Sequence, residues 1–321
     1  MKFAALAVAP FAIAAVASPA MAWNSVGHEA VAQIAWDQLN DGEKAKLTAI
    51  LKTHPRYEKD LLAGVKPEDD RDRLAFLQAA AWPDTVRSFG NPMSRTENHP
   101  AWHYVDDPYH TDGKTTPAPV ETWDGKSDPA NLIQAMQKVT AEFKDPATKD
   151  DRKAIDLCWI EHLIGDIHQP LHAVSMYSDV YPDGDKGGNM IHIRTDSNPN
   201  MNLHAFWDNI EGVTGPDYHA NPAVIRKLAD RLEKDHPASE FEKQLTVTDP
   251  KDWAAESAAI AKSTVYLNGK IVGVSADQAK SNPDSVPALP LNYETDGRKV
   301  ADSQVALAGY RLAAALKDLL K

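Results

Sequence analysis

The sequence predicts an all-α fold, a single mainly helical domain with long functional loops. Six segments place apolar residues at helical spacing. Only one short stretch alternates as a strand does. No Pro-, Gly- or Ser-rich run reads as a linker between independent domains, and no 20–50-residue period repeats.

In chain order, the first helical pattern covers residues 28–36, with apolar positions one turn apart. The same spacing recurs at 131–143, 152–165, 222–234, 253–266 and 302–320. Two of these carry start signals. Asp128-Pro129 precedes the second pattern and Asp249-Pro250 the fifth, each an Asp N-cap followed by Pro. Residues 190–194 alternate and form the one predicted strand. Clusters of Pro, Gly, Asn and Asp mark loops at 106–126, 178–202 and 281–293.

A chain of 321 residues, 43% hydrophobic and 25% charged, can bury a sizeable core and has an ordinary soluble composition. Cys158 is its one cysteine, so no intrachain disulfide can form. The formal charge of −12 excludes a basic surface that grips polyanions by counterion release. Binding of nucleic acid would need a local positive source, and a metal cluster is one. The first 22 residues read as a secretory signal peptide. Lys2 opens a short n-region, an apolar run of about 15 residues follows, and Ala20-Met21-Ala22 supplies the small-x-small cleavage pattern. The run is short of the roughly 20 residues a spanning helix needs. Cleavage after Ala22 would leave residues 23–321 as one mature domain starting at Trp23, with formal charge −13 once Lys2 is lost, in a secreted or periplasmic location.

Twelve histidines invite a ligand search. His54, His99, His110, His219, His236 and His192 are read as ordinary surface or core residues. The run from Glu161 to His172 is the most informative in the chain. His162 and Asp166 are four apart, which puts an imidazole and a carboxylate on one helix face, a half-site suited to zinc. Pro170 then ends or kinks the helix, which can swing His172 back. Spacing alone does not choose between His168 and His172. On a regular helix, though, His168 points about 200° from Asp166 and is better placed to pack. His204 and Asp208 repeat the four-residue spacing, with Phe206 and Trp207 on the buried side. Taken singly, each pair also fits a polar helix face with hydrogen-bonded histidines; taken together they favour a zinc centre. Asp84 with Arg87, and His103 beside Tyr104, fit the same picture, although a turn after Pro83 and an aromatic core segment would account for them as well. A free α-amine on Trp23 has a reference pKa near 8 and could bind zinc with its own carbonyl and with His28.

These blocks together resemble the zinc-dependent, single-strand-specific nucleases of fungi, plants and bacteria, whose superfamily fold is shared by a zinc-dependent phospholipase C. The resemblance spans the mature chain. It includes Trp23-Asn24 with His28, Asp84 with Arg87, His103-Tyr104, the block 162–172 and the block 204–208, with Lys186-Gly187-Gly188-Asn189 and residues 308–313 as further features. It implies three zinc ions per chain. Asp84, His103, His162 and Asp166 would hold one; His172, His204 and Asp208 the second; Trp23, His28 and Asp166 the third. It further implies hydrolysis of phosphodiesters in single-stranded DNA and RNA to 5′-phosphate products, with 3′-nucleotidase activity on nucleotides. Asp84 would orient the nucleophile, Arg87 would add positive charge, Tyr104 would stack a base and Asp106 would accept hydrogen bonds from its edge. Fungal members carry disulfides, which Cys158 alone cannot supply. The alternatives are a zinc phospholipase C, separable by assaying phosphatidylcholine against denatured DNA, a non-catalytic zinc-binding protein, and a chelator-sensitive phosphatase that does not cut polymers. No stable protein partner is implied.

Overall fold

The computed structural model describes residues 23–88, 90–111, 123–210 and 222–321; the predicted signal segment, His219 and much of the loop at 106–126 lie outside these. The predicted helical class holds. The chain forms α1 (Ser25–Gln38), α2 (Asp41–Leu51), α3 (Arg71–Thr85), α4 (Ser94–Glu97), α5 (Leu132–Lys144), α6 (Asp150–Asp166), α7 (Leu203–Asp208), α8 (Pro222–Asp235), α9 (Pro250–Ile260), α10 (Ala276–Ser281) and α11 (Tyr293–Leu319). Two small sheets decorate them. β1 (Asp107–His110) pairs in parallel with β2 (Val174–Tyr177), and β3 (His192–Ile193) pairs antiparallel with β4 (Met201–Asn202).

Helix starts follow side-chain chemistry. Asn24, Asn40, Asn131, Asn202, Asp249 and Ser275 each accept a backbone N–H of the first turn of their helix. Asp249-Pro250 is the predicted start of α9. The predicted start at Asp128-Pro129 is not used, because Asn131 caps α5 instead, its side chain accepting from Gln134 N. The predicted strand shrinks to His192–Ile193; beyond it, Arg194 pairs only through a single bridge to Ala288. The last helix begins at Tyr293, nine residues before its apolar pattern becomes legible.

α1 and α6 form the centre. From Ser25 to Trp36 every residue of α1 is buried, and so is every residue of α6 from Ala154 to Asp166. α1 packs on α11, α3 and α8; α6 packs on α3 and α5. One contiguous hydrophobic cluster runs through all of them. A helix buried on every side must also bury its polar residues, and buried polar groups need partners. The polar residues of these two helices therefore mark the site.

Candidate metal centre

α6 presents His162 and Asp166 one turn apart on the same face, as the four-residue spacing predicts. α1 brings His28 against them. The His28 and His162 rings stack with centroids 4.0 Å apart and planes 19° from parallel. His28 Nε2 lies 3.3 Å from Asp166 Oδ1. Gly165 makes this approach possible: a Cβ there would stand 2.6 Å from His28 Nδ1. Asp84 comes from the last turn of α3, beyond Pro83 inside that helix. His103 ends the 3-10 turn Pro100–His103, and His172 ends the 3-10 turn Pro170–His172 that follows α6. His204 and Asp208 lie one turn apart on α7.

The eight side chains form three buried groups, each with ligand atoms within 4.8 Å of one another: His28, His162 and Asp166; Asp84, His103 and His162; His172, His204 and Asp208. His162 belongs to the first two. Its Nε2 is 2.9 Å from His103 Nδ1 and 3.1 Å from Asp166 Oδ2. His103 Nδ1 is 3.2 Å from Asp166 Oδ2 and 3.8 Å from Asp84 Oδ1. In the third group, Asp208 Oδ2 is 3.5 Å from His204 Nε2, and its Oδ1 is 3.9 Å from His172 Nε2. Asp166 Oδ1 is 3.8 Å from His172 Nδ1, so Asp166 stands between all the groups. Trp23 is fully buried beside Gly27, and Asn24 N donates to Asp208 O at 2.9 Å, which anchors this segment at the third group.

Backbone carbonyls fix three of the rings. His162 Nδ1–H donates to Ala80 O at 2.8 Å, His172 Nδ1–H to His103 O at 2.6 Å and His204 Nδ1–H to Gly187 O at 2.7 Å. Each bond selects the tautomer whose Nε2 lone pair faces the centre. Gly187 has a φ of +60°, and a Cβ on it would meet Leu171 O at 2.4 Å. The Gly187-Gly188 pair thus lets the loop carbonyl reach His204.

Burial governs the charges. It lowers His28 to about 4, with His162 adding to the effect, and lowers His204 to about 3, with His172 adding to it. Both rings are therefore neutral near pH 7, the form that binds metal. Burial pushes Asp208 well up; the Gln169 amide opposes this, and Asp84 and Asp166 reinforce it. At Asp166 burial acts in the same direction, but the facing histidines His162, His172 and His103 outweigh it and hold the carboxyl well below the usual range.

The residues fit metal ions. Asp84 Oδ2, Asp166 Oδ1, His172 Nε2, His204 Nε2 and His28 Nε2 are buried without a hydrogen-bond partner. Orphaned imidazole and carboxylate atoms in one pocket are the donor set zinc takes. Around the centre, Arg87 donates from Nη1 to Asp84 Oδ1 at 3.1 Å. Tyr104 is 40% exposed beside the buried His103, and its hydroxyl feels both Asp106 and Arg87. Burial raises the Asp106 carboxyl above the usual carboxylate range, and His172 opposes this. The eight His and Asp side chains named from the sequence as ligands thus gather at one centre, with Arg87 and Tyr104 beside it. His168 turns away, donating from Nδ1 to Ile164 O and accepting from Arg311 Nη1 at Nε2. Gln169, which sequence reasoning passed over, donates to Asp208 Oδ1 at 2.7 Å. Its one sequence signal was its place between His168 and His172.

Known proteins similar to this chain are nucleases. A family model described as S1/P1 Nuclease matches residues 23–321. Nuclease S1 of Aspergillus oryzae is 26% identical over 317 residues, covering 95% of this chain and 94% of that protein. Endonuclease 3 of Arabidopsis thaliana is 25% identical over 311 residues, with coverage of 94% and 90%. Endonuclease 4 of the same plant is 26% identical over 322 residues with the same coverage. Among the described residues no helix is long and apolar enough to cross a membrane. The chain belongs to the S1/P1 nuclease family, metal-dependent hydrolases of the phosphodiester bonds of nucleic acids.

Proposed function

We propose that this protein is an extracytoplasmic, zinc-dependent endonuclease. It cuts single-stranded DNA and RNA to 5′-phosphate products and removes 3′-phosphates from nucleotides. One observation carries the reading: three His/Asp groups, joined through His162 and Asp166, lie beneath a rim that holds Arg87 and the exposed ring of Tyr104. Asp84, His103, His162 and Asp166 would hold one zinc, His172, His204 and Asp208 a second. The amine and carbonyl of Trp23, with His28 and Asp166, would hold the third once the leader is cut after Ala22. The family match beginning at residue 23 supports that cut. Metal ions bound there supply Lewis-acid charge to the phosphate ester and activate water at neutral pH.

The chain's own residues do the rest. Asp84 has one oxygen on Arg87 and the other without a partner, so it can orient water and take its proton. Arg87 Nη1 lies at the edge of the centre and offers positive charge to a phosphate that gains negative charge as it reacts. Tyr104 offers a ring face on which a base stacks, worth about 1–3 kcal/mol and tolerant of sequence. Asp106 accepts from a base edge. A paired and stacked base cannot reach such a platform, which favours single strands.

The test is intact mass and metal analysis of the secreted protein, followed by digestion of heat-denatured and duplex DNA at low salt. The expected result is a mature start at Trp23, three zinc ions, faster cutting of the denatured strand, 5′-phosphate ends and no turnover of phosphatidylcholine. Full activity on denatured DNA after exhaustive demetallation would overturn the reading.

A further inference from the structure

Gln169 lies outside the three His/Asp groups but touches each part of the turn that joins them. Its backbone N–H donates to Asp166 O at 2.9 Å, and its backbone carbonyl accepts from His172 N at 2.9 Å. Its side chain is fully buried and uses both ends of the amide. Oε1 accepts from Leu171 N at 2.6 Å, and Nε2 donates to Asp208 Oδ1 at 2.7 Å. The Leu171 N–H can only meet an oxygen, so the amide has one orientation and its nitrogen must face Asp208. Pro170 has no N–H to compete for Oε1.

Asp208 gains two things from this bond. Its Oδ1 is tied to a residue whose own backbone positions Asp166 and His172, so the carboxylate plane is fixed relative to both. Its Oδ2 remains on the side of His204 Nε2, 3.5 Å away. The imidazoles of this third group are fixed by backbone carbonyls, and Asp208 is the one member of the group that a side-chain amide fixes. A glutamate of the same shape would keep the acceptor for Leu171 N–H but lose the donor and set a second carboxylate against Asp208.

We propose that Gln169 is the positioning residue of the group His172, His204 and Asp208, presenting Asp208 to the metal ion held there. The inference rests on the metal-centre reading above. Outer residues that orient metal ligands typically change affinity by about 10- to 100-fold when replaced. The experiment compares the parent protein with Gln169→Glu and Gln169→Met, each in its secreted form. The readouts are competition with a chromophoric chelator and the visible spectrum of the cobalt(II)-substituted protein. Both variants are expected to keep the parental helical circular dichroism in excess zinc. Both should release one ion about 10- to 100-fold more readily, with an altered cobalt spectrum. A parent that binds no metal overturns the underlying reading. A parent that binds metal while both variants match its affinity and spectrum overturns this inference alone. Weakening in Gln169→Glu with parental behaviour in Gln169→Met would trace the effect to charge repulsion, and failure of both variants to fold would make Gln169 a folding residue; either result also overturns it.

Discussion

Arg87 stands three residues past Asp84, just beyond α3, with its guanidinium 3.1 Å from a carboxylate oxygen of the centre. Its side chain is 14% exposed, and it belongs to none of the three ligand groups. Replacing it should therefore remove charge stabilisation and leave metal binding intact. Arg87→Ala is expected to lower kcat by about 10²–10³-fold, the loss typical of one oxyanion donor, with unchanged zinc content by mass spectrometry. A fall in zinc content would place Arg87 among the residues that hold the centre. His54 makes a different prediction. It is buried, accepts Arg56 N–H at Nδ1 and meets the Trp82 ring edge-on at 4.8 Å. Burial lowers it to about 4; Asp60 opposes this, while Arg56 and Arg152 add to it. Unfolded histidine titrates near 6.5. Between those two values the unfolded chain binds a proton that the folded chain refuses, so stability is lost as pH falls from about 6.5 to about 4. The gap corresponds to about 3 kcal/mol. His54→Gln removes this titration, and its thermal midpoint should fall less than the parent's over that range. Equal slopes in a scan at matched pH values would mean that His54 titrates normally.

The helices explain what could be read beforehand. His162–Asp166 and His204–Asp208 were legible because each pair sits within one turn of one helix, where spacing alone fixes the face. α3 was not. It is buried almost throughout from Leu74 to Asp84, so it has no polar stripe to give it a period, and Pro83 imitates a stop. That proline instead sits inside the helix, near the Ala80 carbonyl that orients His162. The first turns of α11 carry mostly exposed polar residues and hid its start. The β1–β2 pair joins Asp107 to Val174 across distant parts of the chain, and no local pattern encodes it. The contact between α1 and α6 was equally invisible, although Gly165 makes it. In Gly165→Ala the new methyl must displace His28 or the helix that carries it. Such overpacking costs about 1–3 kcal/mol. The expected protein has a lower thermal midpoint and one metal ion fewer per chain than the parent. Gel filtration followed by metal analysis decides it, because a fully loaded variant would show that α1 has room to spare.

For the whole molecule, one cysteine and a formal charge of −12 look unpromising for a nuclease that handles polyanions. The metal centre answers both difficulties at once. Its ligand groups come from α1, α3, the turn before β1, α6, the turn before β2 and α7, segments from His28 to Asp208. Ions held among them would cross-link the chain much as disulfides do elsewhere, and would supply positive charge where a phosphate must sit. The buried carboxylate Asp208 also needs that charge, because burial pushes it well up, whereas at Asp84 and Asp166 the facing histidines already outweigh burial. Metal removal should therefore destabilise the whole fold as well as stop catalysis. An ion present at about 1,000 times its dissociation constant stabilises by about 4 kcal/mol. In domains somewhat smaller than this one each kcal/mol moves the thermal midpoint by about 2–4 °C. This larger chain shifts less per kcal/mol, so dialysis against a strong chelator should lower the midpoint by about 6 °C for each ion lost, and zinc should restore it. A midpoint that does not move while activity disappears would show that the helices hold the centre together unaided, and the cross-linking role would then have to be given up.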